Sequence, residues 1–400
     1  MEKLISLAKR RGFIYQGSEI YGGLAGTWDY GPLGVLLKEN VKALWLKMFR
    51  DEREDVYGLD ASIIMNPKVW EASGHVAGFA DPMENGEQFN VMFKTSVGAG
   101  EEATVSYLRP ETAQGIFVNF KNVVDSFHPK LPFGIAQVGK AFRNEISPRD
   151  FIFRQREFEQ MEVEYFVKES EWEKSFEMWR KTMHQFGERV GIKQIHELDV
   201  PDNDRAHYSK KTIDFEFEYP FGRKELWGLA YRTDYDLRSH SASSGQALEY
   251  FDEESGERFT PHVIEPSLGA DRTILAILTS AYTEDDLGGE TRSYLKLPKE
   301  IAPIRAAVFP LLKNKSELVE KAREVYKMLK SEFGNIEFDD NGNIGKRYRR
   351  QDEIGTPFCV TIDFDTLGET PEHKDTVTVR NRDTGEQKRV KISDLKEVIA

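Results

Sequence analysis

Cysteine is almost absent from this sequence, because Cys359 is the only one in 400 residues. Intrachain disulfides and zinc sites built on several cysteines are therefore excluded, and we expect no zinc. The histidines are scattered, and no H-E-x-x-H pair indicates a zinc peptidase. A lone thiol suits a reducing compartment, so we expect a cytoplasmic protein.

Long apolar runs are missing as well. No stretch approaches the ~18 consecutive apolar residues of a membrane-spanning helix. The segment Met1–Gly12 carries several charges and lacks the apolar stretch of a signal peptide. It predicts a short amphipathic helix that ends at the glycine, and we expect no membrane segment.

Excess positive charge is also lacking. The net charge of −13 argues against indiscriminate binding to nucleic acid. The charge is uneven, because residues 301–400 hold 18 basic and 18 acidic side chains and are neutral overall. We therefore predict a separate C-terminal domain. The glycine- and proline-containing stretch 288–298 is the predicted boundary, which gives domains 1–297 and 298–400.

Hydrophobic periodicity predicts a different fold class on each side of that boundary. Residues 301–400 alternate strands with a helix at Ser316–Phe333, which Ser316 would cap and Gly334 would stop, as in a small α/β domain. Strands are predicted there at 304–309, 358–362 and 376–379. The first 300 residues mix helices and β-rich runs without regular βαβ order, which favours an α+β fold with an antiparallel sheet. Helices are predicted at 33–49, 112–120, 171–190 and 269–282, and strands at 133–142, 156–166, 213–217, 226–233 and 262–266.

One segment imitates a P-loop. Residues 134–141 read G-I-A-Q-V-G-K-A, but Ala141 stands where a hydroxyl must bind Mg²⁺. Pro148 also follows too soon for a helix to begin. We predict a β-strand here, so an ATP site must be built in another way.

Two arginines offer that other way. Arg143 and Glu145 are two apart in a strand-like run and would point to one face, presenting a guanidinium for phosphate. The alternative is a solvated face with cross-strand ion pairs. Arg272 lies in the first turn after Gly269, where a positive charge is unfavourable unless an anion compensates it. The alternative there is a surface arginine paired with Glu265 or Asp271.

Together these elements resemble the three motifs of class II aminoacyl-tRNA synthetases. Motif 1 corresponds to about 30–50, motif 2 to about 138–166 and motif 3 to about 261–282. Longer stretches over nearly the whole chain resemble the homodimeric glycyl-tRNA synthetases. These stretches are Gly17–Ala25, Thr27–Gly34, Trp70–His75, Leu108–Gly115, Arg232–Leu237, Glu265–Ser267 and Gly345–Pro357.

The resemblance implies a homodimeric glycine–tRNA ligase with a class II antiparallel-sheet catalytic domain. Such an enzyme forms glycyl-adenylate from glycine and ATP with Mg²⁺, then transfers the glycyl group to the 3′ end of tRNA(Gly). It needs no protein nucleophile, because positioning and charge neutralisation supply most of the acceleration. An attack of a second ATP on the adenylate would give diadenosine polyphosphates as a side activity.

The resemblance also assigns the ATP site. Arg143 would contact the α-phosphate and the substrate carboxylate, Arg272 the γ-phosphate, and Phe158 the adenine. Glu145 would lie near the adenine amino group, and Glu225 would bind Mg²⁺. The loop Phe153–Glu157 would close over the nucleotide. The expected ATP-binding residues are Arg143, Asn144, Glu145, Phe153, Arg154, Gln155, Arg156, Glu157, Phe158, Glu225, Leu226, Gly269, Ala270, Asp271 and Arg272.

Glycine has no side chain to grip, so its selection must come from excluding larger amino acids. In the expected site, carboxylates suit the ammonium group and Arg232 suits the carboxylate. Glu111 taken alone is equally plausible as a first-turn acid of a helix. The expected glycine-binding residues are Glu111, Phe158, Glu159, Gln160, Met161, Glu162, Arg232, Glu265, Pro266, Ser267, Leu268 and Gly269.

The C-terminal domain resembles the anticodon-binding domain of several class II synthetases. A basic run with Tyr348 interleaved would contact RNA phosphates. Its expected tRNA-binding residues are Lys346, Arg347, Arg349 and Arg350. The alternative is a basic run that is merely solvated.

The chain departs from the family after Met83. Bacterial relatives usually carry an insertion here, whereas this chain runs directly into Phe89–Lys94, and Asn85-Gly86 predicts a hairpin turn. The loss affects acceptor-stem contacts more than activation. Two other functions remain alternatives: a non-catalytic synthetase-like subunit that binds RNA or a polymerase, and a synthetase for another small amino acid.

Overall fold

A computed structural model describes residues 1–83, 86–206, 208–287 and 289–400, without the side chain of Glu290. The helices are α1 Glu2–Arg10, α2 Pro32–Leu46, α3 Lys68–Ala72, α4 His75–Gly78, α5 Ala113–Phe117, α6 Phe120–Phe127, α7 Trp172–Arg189, α8 Tyr235–Ser244, α9 Ala270–Ala281, α10 Ser316–Phe333, α11 Ile344–Ile354, α12 Phe364–Leu367 and α13 Leu395–Ile399. The strands of the first 300 residues are β1 Ile14–Gln16, β2 Trp28–Tyr30, β3 Val56–Gly58, β4 Ala80–Pro82, β5 Gln88–Asn90, β6 Lys94–Val97, β7 Thr104–Tyr107, β8 Phe133–Phe142, β9 Glu157–Val167, β10 His196–Asp199, β11 Lys211–Tyr219, β12 Gly222–Thr233, β13 Tyr250–Asp252, β14 Glu257–Phe259, β15 His262–Gly269, β16 Tyr282–Leu287 and β17 Glu290–Leu295. The remaining strands are β18 Ala306–Pro310, β19 Ile336–Phe338, β20 Phe358–Ile362, β21 Thr376–Asn381 and β22 Gln387–Lys391.

The first 300 residues are organised around one large sheet in the order β10-β11-β12-β15-β9-β8-β3. Its pairs are antiparallel except for β3 and β8 at one edge. The predicted α+β fold is therefore confirmed. The segment that imitates a P-loop lies within β8, as expected.

The alternation of side chains along β9 separates the core from the polar face of this sheet. Met161, Val163 and Tyr165 are buried in the apolar core with residues of α2, α7 and α9. The intervening Glu162 and Glu164 are also buried but belong to the opposite face, because successive strand residues point to opposite sides. The polar face therefore carries carboxyl groups that the core does not.

The C-terminal sheet has the order β19-β18-β20-β21-β22 and its own cluster of buried apolar residues. A buried ion pair joins this region to the β16–β17 hairpin, because Arg292 on β17 contacts Asp352 on α11 at 3.0 Å. Arg380 on β21 contacts the same carboxylate at 2.7 Å. Gly334 ends α10 with a positive φ of 74°, as predicted. The predicted Ser316 cap is wrong, because Lys315 holds the cap position and no side chain accepts a hydrogen bond there.

The structure differs from the predicted helix at 112–120, and it describes the predicted hairpin after Met83 only in part. The helix predicted at 112–120 ends earlier, and a second helix, α6, begins at Phe120. At the predicted hairpin, β4 and β5 do pair, but Glu84 and Asn85 lie outside the described residues. Within the described ranges, no helix combines the length and apolar character needed to cross a membrane.

Candidate active site

A deep pocket opens on the polar face of the large sheet. Its walls come from β9, β12 and β15, the loop before β9 and the first turn of α9. Among the predicted ATP-binding residues, those that line it are Arg143, Glu145, Phe153, Arg154, Gln155, Phe158, Glu225, Leu226, Gly269, Asp271 and Arg272. Among the predicted glycine-binding residues, those that line it are Glu111, Phe158, Glu159, Gln160, Glu162, Glu265, Ser267 and Gly269. The structure thus brings most of both sets together.

One end of this pocket, the arginine end, is formed by Arg143, Arg272, Phe153, Phe158 and Glu225. The Arg143 guanidinium lies 5.2 Å from the ring centroid of Phe158, and its Nε donates to the Pro110 carbonyl at 3.0 Å. Arg143 does not lie on a strand as expected, because β8 ends at Phe142. Its side chain is held by aromatic contact and one backbone bond.

Arg272 occupies the first turn of α9. Its guanidinium lies 4.4 Å from the ring centroid of Phe153 and 3.1 Å from the Glu225 carboxylate. The Glu225 side chain is 50% exposed. The pairing with Glu265 or Asp271 considered from the sequence is therefore wrong, since the partner is Glu225.

Asp271, next to Arg272, faces away from the arginine end. It accepts hydrogen bonds from the Tyr30 hydroxyl at 2.6 Å, the Lys38 ammonium at 2.9 Å and the Glu159 backbone N–H at 2.8 Å. These bonds tie the start of α9 to α2 and β9. They fix the backbone from which Arg272 projects.

Glu145 is also engaged. Its carboxylate accepts from Arg154 Nε at 2.6 Å, and Arg154 contacts Asp81 at 3.0 Å. Glu145 is the more buried member of this ion pair, because it is only 9% exposed. The Glu145–Arg154 pair lies within the loop before β9, and the Arg154–Asp81 pair holds that loop against β4.

The other end of the pocket, the carboxylate end, is formed by Glu111, Glu162, Glu265 and Ser267. The Ser267 hydroxyl donates to Glu162 at 2.6 Å, and the Gln160 amide donates to the same carboxylate at 2.8 Å. Thr112 adds a third bond to Glu162. These donors hold the carboxylate in place within a buried wall.

Burial and neighbouring charge act differently on these acids. Burial opposes ionisation of Glu111, but His75 at 3.4 Å, Arg232 and a bond from Gln114 outweigh it and hold its pKa well below the usual range. Burial raises the pKa of Glu162, and the nearby Glu111 charge adds to the effect. Burial likewise raises the pKa of Glu265 despite its bond to Arg232. Glu111 is therefore the most firmly ionised of the three.

Arg232 is not placed as expected. It is 1% exposed and lies beneath the pocket, where it donates to Asp236 at 2.8 and 2.9 Å and to Glu265 at 2.9 Å. The Tyr208 ring covers it, with its centroid 3.8 Å from the guanidinium carbon. Arg232 therefore orients Glu265 and is unsuited to binding a substrate carboxylate, which corrects the expectation.

Several other expected residues lie outside the pocket lining. Met161 and Leu268 point into the apolar core, because they alternate with Gln160, Glu162 and Ser267 along their strands. Arg156 donates to the Ala25 carbonyl, and Glu157 pairs with Lys140 across the sheet. The full set outside the lining is Asn144, Arg156, Glu157, Met161, Arg232, Pro266, Leu268 and Ala270.

Sequence reasoning missed the residues that support the carboxylate end from behind. Asp236 follows Arg232 by four residues and accepts two hydrogen bonds from its guanidinium group. The side-chain amide of Gln114 donates to Glu111 at 2.9 Å and to Asp236 at 3.1 Å. His75, which contacts Glu111, was likewise not assigned to the site. No helical spacing rule identifies the pair of Arg232 and Asp236, because Arg232 lies on β12 and Asp236 lies in the first turn of α8.

The basic run of the C-terminal domain is partly structural. Arg347 is 1% exposed and donates to the carbonyls of Pro310, Asp340 and Gly342. Its predicted contact with RNA phosphate is therefore wrong, and so is the alternative of a run that is simply solvated. Arg350 binds Asp339, whereas Lys346 is exposed.

Comparison with protein families agrees with this architecture. A family described as "tRNA synthetase class II core domain (G, H, P, S and T)" matches residues 93–281. A second, described as "Anticodon binding domain", matches residues 305–400.

Comparison with individual proteins is more specific. The chain is 48% identical to the glycine–tRNA ligase of Lachnospira eligens, covering 99% of this chain and 97% of that protein. It is 47% identical to the glycine–tRNA ligase of Clostridium acetobutylicum, covering 100% of this chain and 98% of that protein. The first alignment extends over 461 positions against the 400 residues here, so at least 61 positions of that relative have no counterpart in this chain.

A solved structure supports the fold alone. Prolyl-tRNA synthetase from Cryptosporidium parvum, complexed with L-proline and AMP, superposes with a TM-score of 0.73 at 16% identity. The match covers 99% of this chain and 73% of that one.

Proposed function

Because the chain belongs to the glycine–tRNA ligase family of class II synthetases, we propose that it activates glycine with ATP and transfers the glycyl group to tRNA(Gly). The observation that carries the proposal is the identity of about 47% to glycine–tRNA ligases over the full chain. The pocket supports it, because one end offers guanidinium groups and the other offers carboxylates. A nucleotide and an ammonium group would meet between them.

We assign ATP to the arginine end. Arg143 would bind the α-phosphate, Arg272 the γ-phosphate, and Phe158 would stack on adenine. Both guanidinium groups already rest on aromatic rings, so binding costs little reorganisation. Glu145, held by Arg154, would lie near the adenine amino group.

Class II synthetases use ATP with a divalent metal, and we propose Mg²⁺ bound by Glu225. The donor set fits, because Glu225 is a half-exposed carboxylate on the pocket wall, and hard cations prefer oxygen ligands. Asp214 lines the same wall, and burial together with the Glu225 charge raises the pKa of Asp214 to about 7. The ion would supply charge compensation for the phosphates.

We assign glycine to the carboxylate end. Glu111, Glu162 and Glu265 would surround its ammonium group, with Ser267 bonded to Glu162. Since Arg232 is engaged beneath the pocket, Arg143 is left to bind the glycine carboxylate as well as the α-phosphate. The buried wall would leave no room for a larger side chain, which is how glycine would be selected.

The chemistry follows from this placement. The glycine carboxylate oxygen attacks the α-phosphorus in line, forming glycyl-adenylate, and pyrophosphate leaves. The terminal 3′ hydroxyl of tRNA then attacks the activated carbonyl, forming the ester, and AMP leaves. Arg143 and Arg272 neutralise the negative charge that accumulates on the phosphates, while the carboxylate end holds the amino group away from reaction.

The proposed assembly and partners extend beyond the pocket. We propose a homodimer in the cytoplasm, with residues 298–400 binding the anticodon of tRNA(Gly) through Lys346, Arg349 and Arg350. The match of residues 305–400 to an anticodon-binding family supports this role. No zinc is required by the donor set described above.

The test is ATP–pyrophosphate exchange with each amino acid. Exchange with glycine and not with alanine or serine is the expected result. Exchange with alanine or serine alone would indicate a synthetase for another small amino acid. Exchange with no amino acid would indicate the non-catalytic RNA- or polymerase-binding subunit.

The absent insertion makes a separate prediction about tRNA. Glycine-dependent exchange should persist, while charging of tRNA(Gly) should be weaker than in relatives that carry the additional positions. Loss of exchange, or charging as efficient as in those relatives, would contradict this division. The comparison needs both assays on one preparation.

A further inference from the structure

Glu164 is a buried acid that the proposed reaction leaves unused. It lies on β9 two residues after Glu162 and is 0% exposed. Neither of its carboxyl oxygens has a hydrogen-bond partner among the described residues. One oxygen each from Glu162, Glu164 and Glu265 lie within 4.8 Å of one another.

The surroundings of Glu164 contain more acids than bases. Glu265 faces it from β15, Glu162 from its own strand, Arg232 from β12 and Asp236 from α8. Its partner on β8 is Ile135, which carries no charge. Among the described residues named here, the one cation is Arg232, and its bonds go to Asp236 and Glu265.

The histidines nearby do not change this balance. His240 contacts the Gln114 amide at 2.8 Å, and burial lowers the pKa of His240, which favours the neutral ring. His75 is directed to Glu111 at 3.4 Å. Neither imidazole therefore provides a counter-charge for Glu164.

An ionised carboxylate with no hydrogen bond and no free cation is among the most expensive groups to bury. A protonated carboxyl group of the same shape avoids most of that cost. Burial and the neighbouring carboxylates act in this direction and raise the pKa of Glu164 well above its usual range. The geometry and the charges therefore agree.

We propose that Glu164 keeps its proton at neutral pH and lies as a neutral carboxyl group beneath the carboxylate end. The ammonium of glycine at the carboxylate end then meets no additional charge from Glu164. This reading rests on the proposed function for the identity of the ligand. The protonation itself concerns the free protein and is tested without any substrate.

The first test compares the pH dependence of thermal stability for wild type and Glu164→Gln. The unfolded glutamate ionises near pH ~4.3, whereas folded Glu164 keeps its proton. The folded state therefore binds more protons than the unfolded state, and wild-type stability declines as pH rises above that value. Glutamine does not ionise, so the melting temperature of E164Q minus that of wild type should increase from pH 5 to pH 8.

A constant difference, or one that decreases with pH, would overturn the proposal, because Glu164 would then be ionised in the folded protein. Glu173→Gln, an exposed substitution at the start of α7, is the matched control and should show a constant difference. Glu164→Met is a second uncharged variant. It should follow the same pH trend even if its absolute stability is lower.

The second test uses the KM for glycine in pyrophosphate exchange. Glu164→Gln replaces one neutral group with another, so the KM for glycine should change by less than about threefold. A change of that size corresponds to no more than one neutral hydrogen bond. Glu111→Gln removes the most firmly ionised carboxylate at this end of the pocket and should raise the KM for glycine by about 30-fold or more. Equal effects of the two variants would overturn the proposal, whereas absence of wild-type exchange with glycine would overturn the proposed function and leave the stability test standing.

Discussion

The two ends of the pocket hold their charged groups in different ways. At the arginine end, Arg272 is 30% exposed and leans on an aromatic ring, with one half-exposed carboxylate as its ion-pair partner. At the carboxylate end, Glu162 and Glu265 are 2% and 7% exposed and are tied to hydroxyl, amide and guanidinium donors. Side chains at the first end can exchange partners when a ligand arrives, whereas those at the second are fixed in advance.

This difference matches the two proposed ligands. A triphosphate is large, flexible and strongly charged, so its site needs cations that can leave weak partners. Glycine offers only an ammonium and a carboxylate, so its site needs a rigid wall that a larger amino acid cannot enter. Substitutions at the carboxylate end should therefore affect folding as well as binding, and those at the arginine end should affect catalysis alone.

The largest effect is expected from Arg232→Met. Removing this guanidinium leaves Asp236 and Glu265 buried without their cation, which should cost about 3–5 kcal/mol of stability. The pKa of Glu265, which burial already raises and Arg232 lowers, should then rise further in the folded state. The loss should be greatest near pH 8 and smaller near pH 5, where protonation relieves the buried charge.

Denaturant unfolding of Arg232→Met and wild type at the two pH values checks this expectation. Arg205→Met is a useful control, because Arg205 also lines the pocket but binds two backbone carbonyls and the exposed Asp202. A loss for Arg232→Met that does not depend on pH would mean that Asp236 and Glu265 do not carry the buried charge.

Arg143→Met should act on the reaction instead. Loss of a preorganised group that stabilises developing charge lowers kcat by about 10²–10³-fold. Stability should be nearly unchanged, because Arg143 makes one bond to the Pro110 carbonyl and otherwise rests on aromatic rings. Pyrophosphate exchange and thermal melting measure the two effects.

Arg149→Met is the control for Arg143→Met, since Arg149 is an exposed arginine in the following loop. It should leave kcat close to wild type. If the stability of Arg143→Met fell as much as that of Arg232→Met, the two ends of the pocket would not differ in the way described.

Local sequence patterns predicted much of this architecture and one part of the site. The strands at 133–142 and 358–362 match β8 and β20, because short β-rich runs bounded by turn residues identify buried strands. Arg143 and Arg272 line one pocket, as local sequence patterns indicated, and their binding of ATP stays a prediction. The partners of Arg232 were not found, because its bonds from β12 to Asp236 on α8 and to Glu265 on β15 depend on the tertiary fold.

The same reasoning explains the wrong assignments. Met161 and Leu268 lie within stretches that do form the pocket wall, but the two-residue period of a strand turns their side chains into the core. Arg347 belongs to a basic run, yet three carbonyl acceptors in its own domain bind it. Sequence identifies such a stretch, and only the backbone direction determines which residues face a ligand.

Ser267→Ala tests how strongly the carboxylate end depends on its preset bonds. The change removes one donor from Glu162, which keeps its bonds from Thr112 and Gln160. Loss of one hydrogen bond to a charged group costs about 1.5–3 kcal/mol. The KM for glycine should rise by about 10-fold or more while the KM for ATP stays constant, and exchange kinetics varied in each substrate separate the two. A parallel rise in both constants would mean that the two ends are coupled.

Glu225→Gln should give the smallest effect and examines the exposed ion pair at the arginine end. Exposed pairs contribute about 0–1 kcal/mol, so stability should be unchanged. The variant loses a proposed Mg²⁺ ligand and frees Arg272, so the Mg²⁺ concentration for half-maximal exchange should rise. The rate at saturating Mg²⁺ should stay close to wild type.

Glu218→Gln, which breaks an exposed pair with Arg223 outside the pocket lining, is the control and should not shift the titration. An unchanged Mg²⁺ titration for Glu225→Gln would mean that Glu225 is a partner of Arg272 and not a ligand of the metal.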